Sequence, residues 1–108
     1  MLLVDLLYFD GCPSWRNGLA NLEAALEAEG LNYQINLVKI ETPEQAQKER
    51  FLGSPSFRVD GVDLWPEERE VYSLSCRVYH TPQGMKGFPT VEMIRNRLRE
   101  IFPPHQNT

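Results

Sequence analysis

Two cysteines and two histidines are all the thiol and imidazole ligands this 108-residue chain offers. That is too few for a secreted scaffold held by disulfides. No paired spacing joins Cys12, Cys76, His80 and His105 into a zinc motif, so no metal and no cofactor is expected. Long apolar runs are missing as well, and nothing approaches the roughly 18 residues of a spanning helix. The apolar opening at residues 1–9 is interrupted by Asp5, lacks a basic flank and precedes no small-residue cleavage site. The expectation is a cytoplasmic protein with no membrane attachment. Excess positive charge is absent too: a net charge of −4 leaves no basic stripe for nucleic acid. Gly84 and Gly87 do not stand in a phosphate-loop pattern, and there are no repeats or low-complexity linkers.

What remains is an ordinary globular composition, 42% apolar and 24% charged, at a length that suits one domain. We expect that domain over residues 1–102, with an insertion at about 65–89 and a flexible tail at 103–108.

Residues 2–9 are nearly continuous Leu, Val, Tyr and Phe, which reads as a strand covered on both faces. Asp10-Gly11 and Pro13 then stop it in a turn. Trp15, Leu19, Leu22 and Leu26 form one stripe of a helix, with Pro13 in its first turn and Gly30 as its stop. Residues 32–40 alternate as a second strand, Tyr33, Ile35, Leu37 and Lys39 facing one way and Val38 and Ile40 the other. Thr42, Pro43 and Gln45 spell a capped helix start, and that helix ends by Gly53. Phe57-Arg58-Val59, Asp60-Gly61 and Val62-Asp63-Leu64 predict a hairpin with a two-residue turn. Inside the insertion, Tyr72, Leu74, Cys76 and Val78 alternate with polar residues and predict a further short strand. Val91, Ile94, Leu98 and Ile101 mark a last helix from near Thr90, with basic residues toward its C-terminal end.

The resulting order, with Gly11-Cys12-Pro13 between the first strand and first helix, resembles the thioredoxin and glutaredoxin family. Gly53-Ser54-Pro55-Ser56-Phe57 ahead of the third strand is the second landmark. The likeness covers about residues 1–64 and 90–101. More narrowly, the chain is similar to small bacterial thioredoxin-like proteins with a Gly-Cys-Pro motif and a Cys-Arg-Val-Tyr segment, here Cys76 to Tyr79. The resemblance implies a thioredoxin-like α/β fold of order β-α-β-α-β-β-α, a mixed sheet flanked by helices, with an insertion before the last helix. It also implies a cis bond at Ser54-Pro55 facing Cys12. The departure is at Trp15, an indole where dithiol members carry their second motif cysteine, so the usual cycle within the motif is excluded.

A cysteine at a helix N-terminus is placed to become a thiolate, because unpaired N–H groups and the helix dipole favour negative charge there. Arg16 would add to this and Asp10 would oppose it. The plainer alternative is a small buried hydrophobe. In the resembled topology the hairpin's second strand returns toward the Cys12 end of the sheet, so the insertion should emerge there. Cys76 is then a distant resolving thiol or a second ligand for a soft metal; otherwise it joins Tyr72, Leu74 and Val78 on an apolar face. Pro13, Trp15, Ser54 and Pro55 are candidate substrate-binding residues, and Trp65 could line the same groove, with core packing the alternative for both indoles. Glu67, Glu68 and Glu70 read as a solvated face, and His80 and His105 as solvated loop residues. Two functions stay open. One is a thiol-dependent redox protein acting on a thiol or disulfide substrate or partner protein. The other is a non-catalytic module that binds a peptide, a partner protein or a soft metal ion.

Overall fold

The computed structural model describes residues 1–102, so the expected tail, His105 included, lies outside the described residues. Its centre is β1 (Leu2–Tyr8), and the apolar run explains why. Val4 and Leu6 turn to one face and Leu7 to the other, and all three are buried. β2 (Tyr33–Lys39) pairs with β1 in parallel, which requires a crossover, and α1 (Trp15–Ala28) supplies it. β3 (Ser56–Val59) lies antiparallel on the other side of β1, followed by β4 (Val62–Asp63). The mixed sheet therefore runs β2-β1-β3-β4.

Two apolar layers sit on this sheet. Trp15, Leu22, Ala25 and Leu26 of α1 and Ile94 and Leu98 of α3 (Val91–Ile101) cover the face that carries Val4, Leu6, Phe57 and Val59. Ala46 of α2 (Pro43–Glu49) and Phe51 cover the opposite face with Leu7 and Ile40. The expected alternation in β2 follows this division, with Tyr33 and Ile35 toward the first layer and Val38 toward the second. Leu37 departs from it and is half exposed.

Local chemistry sets the boundaries. The Thr42 hydroxyl accepts from the Gln45 N–H at 3.0 Å, while the Gln45 side chain accepts from the Glu41 N–H at 2.9 Å. Asp60 and Gly61 take φ of 50° and 87°, the left-handed pair that a tight hairpin turn demands. Thr90 caps α3 through the Met93 N–H. Glu29, at the end of α1, binds both Arg95 and Arg99 and ties the two helices together.

The insertion differs from expectation. Residues 72–78 alternate in sequence but form no strand; Cys76 alone makes a bridge, to Ser54. A strand needs a partner edge, and here the chain meets a single residue followed by Pro55, which has no N–H to continue the ladder. The ordered unit is instead a hairpin of β5 (Tyr79–Thr81) and β6 (Gly84–Lys86), which the alternation pattern does not predict. Pro82 and Gln83 form its tip, and Gly84 takes the positive φ of 102° that follows such a turn.

Candidate functional site

Cys12 lies on the short connection between β1 and α1. Its N–H bonds back to the Phe9 carbonyl at 3.1 Å, which closes the turn. α1 begins at Trp15 with Ser14 as its cap, so Cys12 and Pro13 precede the helix and do not belong to its first turn. Cys12 is also only 1% exposed. Its Sγ donates to the Ser54 carbonyl oxygen at 3.3 Å.

The bond between Ser54 and Pro55 is cis, and the dipeptide is packed from two sides. Gly18 of α1 backs against the proline ring: a Cβ there would stand 2.8 Å from Pro55 Cγ. The Tyr79 hydroxyl donates to the Pro55 carbonyl at 2.6 Å, and burial pushes that phenol far above its ordinary range.

The same two residues receive the insertion. The Ser54 N–H donates to the Ser75 carbonyl at 2.8 Å, and the Arg77 N–H donates to the Ser54 carbonyl at 2.9 Å. The Ser54 oxygen thus accepts from both the Arg77 amide and the Cys12 thiol. Gly53 permits this approach. It holds φ of 112°, and a Cβ on it would lie 3.0 Å from the Arg77 Cα, Cβ and N. Cys76, between the two bonded residues, is bridged to Ser54, the residue whose carbonyl the Cys12 thiol bonds, and remains exposed. Its thiol is pushed up first by partial desolvation, then by the hydrogen bond and the charge of Cys12.

Arg77 anchors this segment. It is 4% exposed, and its guanidinium reaches both Asp63 oxygens at 3.1 and 3.0 Å, the Ser56 hydroxyl at 3.3 Å and the Trp65 carbonyl. It also lies over the Tyr79 ring, 5.3 Å from the centroid, with the Glu67 carboxylate at 3.6 Å. Burial raises the Asp63 carboxyl despite the opposing pull of Arg77. The sequence reading placed Gly53, Arg77 and Tyr79 in its landmark segments and Asp63 in the hairpin, and gave none of the four a role in the site. The one available signal was a guanidinium beside a cysteine in a segment otherwise rich in Ser, Leu, Val and Tyr.

The remaining candidates fall elsewhere. Trp15 is a core residue, stacked on Tyr8 at 4.1 Å between ring centroids, and the Arg16 guanidinium sits over it at 4.7 Å. Arg16 is therefore engaged with the indole, and Asp10 pairs with Lys39 at 2.7 Å. Trp65 packs edge-on against Phe57 and Tyr79 rather than lining a groove with Cys12. Pro13 is exposed beside Cys12, while Ser54 and Pro55 are buried with their polar backbone groups already bonded. Glu67 pairs with Arg69 as well as reaching Arg77, so it is more than a solvated charge. His80 is exposed, and among the described residues no cluster of three His, Cys, Asp or Glu side chains forms a metal site. Compared with models of known protein families and with curated proteins, the chain matches none.

Proposed function

We propose that this is a thioredoxin-like protein carrying out thiol–disulfide exchange, with Cys12 and Cys76 as its redox pair. One observation carries the reading: Cys12, whose thiol bonds the Ser54 carbonyl, and Cys76, whose backbone is bridged to Ser54, come together from distant parts of the sequence, close enough for one thiol to perturb the other. The order of elements, the cis bond at Ser54-Pro55 and the placement of Cys12 after β1 support the thioredoxin-like part of the reading. Trp15 removes the usual second thiol, and Cys76 takes over its role from outside the motif.

Burial favours a division of labour opposite to the one expected from sequence. Cys76 is the exposed thiol and Cys12 the buried one. In the reducing direction the Cys76 thiolate attacks one sulfur of a disulfide substrate, forming a mixed disulfide and expelling the first substrate thiolate. Cys12, as thiolate, then attacks the Cys76 sulfur, closing the Cys12–Cys76 disulfide and expelling the second. Two electrons pass from the protein dithiol to the substrate, and the expelled thiolates take up the two protons the protein thiols lose. No helix among the described residues is long and apolar enough to cross a membrane. The reading assigns the protein to the cytoplasm, where small thiols keep such a pair cycling.

The same two thiols also suit a soft cation that accepts two ligands. Oxidation separates the readings. Treated with diamide, the protein should lose both free thiols within one monomer, shown by intact mass and by a shift on non-reducing gels. Cys12→Ser and Cys76→Ser should form only mixed or intermolecular species. If both thiols stay titratable in the folded wild type, the redox reading fails and soft-metal or partner binding replaces it.

A further inference from the structure

The position beside Cys12 where an extended peptide would pair is already filled by the chain itself. A peptide held against a strand is gripped by backbone N–H and C=O groups. Next to Cys12 those groups are the N–H and C=O of Ser54; Pro55 offers no N–H. Ser75 takes the Ser54 N–H, and Arg77 and Cys12 share the Ser54 carbonyl. The occupant is well fixed. Gly53, at a positive φ, lets the Arg77 backbone come so close that a Cβ there would lie 3.0 Å from it, and the buried guanidinium is held by Asp63, Ser56 and the Trp65 carbonyl. Cys12 is thereby covered, and Cys76 stays open to solvent.

We propose that residues 75–77 act as a built-in occupant of the peptide-pairing position, so that the pair exchanges with low-molecular-weight thiols and disulfides that reach Cys76. Disulfides presented on a docked polypeptide are excluded. This rests on the thiol-exchange reading above and narrows its substrate class. The exchange follows the two displacements already written, with R–S–S–R as oxidant and two molecules of R–SH released per Cys12–Cys76 disulfide formed.

The test is stoichiometric oxidation of the reduced full-length protein by glutathione disulfide and, separately, by insulin, with 2-mercaptoethanol as a thiol that docks nothing. The quantity read is the ratio of the insulin rate to the small-disulfide rate. For the wild type that ratio should match the 2-mercaptoethanol value within a few fold. In Arg77→Lys, which keeps the charge but loses the planar fork, the ratio should rise as residues 75–77 loosen. A wild-type ratio tenfold or more above that of 2-mercaptoethanol would show polypeptide docking and overturn the proposal while leaving the redox reading in place. Oxidation by neither substrate, with no Cys12–Cys76 disulfide after diamide, removes the redox reading itself and this inference with it.

Discussion

The two cysteines are held in place by different means. Cys12 is set by nearby chain: β1 ends, a turn closes through the Phe9 carbonyl, and α1 starts at Trp15. Cys76 belongs to a segment without regular structure and is placed from a distance, through Arg77 buried against Asp63 and through Gly53. One half of the site is inherited from the βαβ unit. The other depends on a buried ion pair that costs desolvation and returns position. If this contrast is right, substitutions on the Cys76 side should disturb both stability and thiol behaviour, and changes to exposed charges should disturb neither much.

The largest effect is expected from Arg77→Met, which strands a buried Asp63 carboxylate. A loss of about 3–5 kcal/mol in urea unfolding fits the removal of one partner from a buried pair. Cys76 should then be alkylated faster, because residues 75–77 lose their anchor. Unchanged stability would mean that Asp63 and Arg77 do not set the position of this segment. Gly53→Ala comes next. It forces a Cβ into φ of 112° and against the Arg77 backbone, at a cost of roughly 1–3 kcal/mol. Native-state hydrogen exchange should localise the loosening to the Ser54 and Arg77 amides.

Glu29→Gln tests the opposite kind of ion pair, at the meeting of α1 and α3. It should cost about 1 kcal/mol or less at neutral pH. The hydrogen bond from Arg95 lowers the Glu29 carboxyl below the usual range; burial opposes it, and Arg99 adds a smaller pull in the same direction as Arg95. A carboxyl lowered by folding stabilises above its unfolded value, and the benefit disappears as pH falls through the folded value. The gap between wild type and Glu29→Gln should therefore be full at neutral pH and close in acid. A gap that widens in acid would contradict the assignment. The smallest expected change is in Cys76 itself. Cys12 contributes to raising its thiol, so Cys12→Ser should move the pH profile of Cys76 alkylation to lower pH. It should not return fully to that of a free thiol, since partial desolvation remains.

Which parts could be read from the chain follows the same division. The Thr42 cap, the Asp60-Gly61 turn and the two amphipathic helices were legible because each is decided by neighbours a few residues apart. The expected strand at residues 72–78 was misread because alternation reports which way side chains point, not whether a backbone partner exists. Trp15 had the helical spacing of a core residue and a position next to Cys12, and packing against Tyr8 decided for the core. The burial of Cys12 had no local signal, since its cover arrives with Cys76.

The sequence by itself determined the order of elements outside the insertion, the central place of β1, the capped start of α2 and the start of α3 near Thr90, because these depend on short-range sterics, capping and hydrophobic period. Only the tertiary structure decided that Cys12 is covered, that Cys76 is the exposed member of the pair, and that Arg77 holds the two halves together. Those outcomes depend on which backbone groups remain unpaired once the sheet has formed. Ser54, at the end of a ladder that Pro55 cannot extend, had one N–H and one carbonyl left to satisfy, and residues 75–77 supplied the partners.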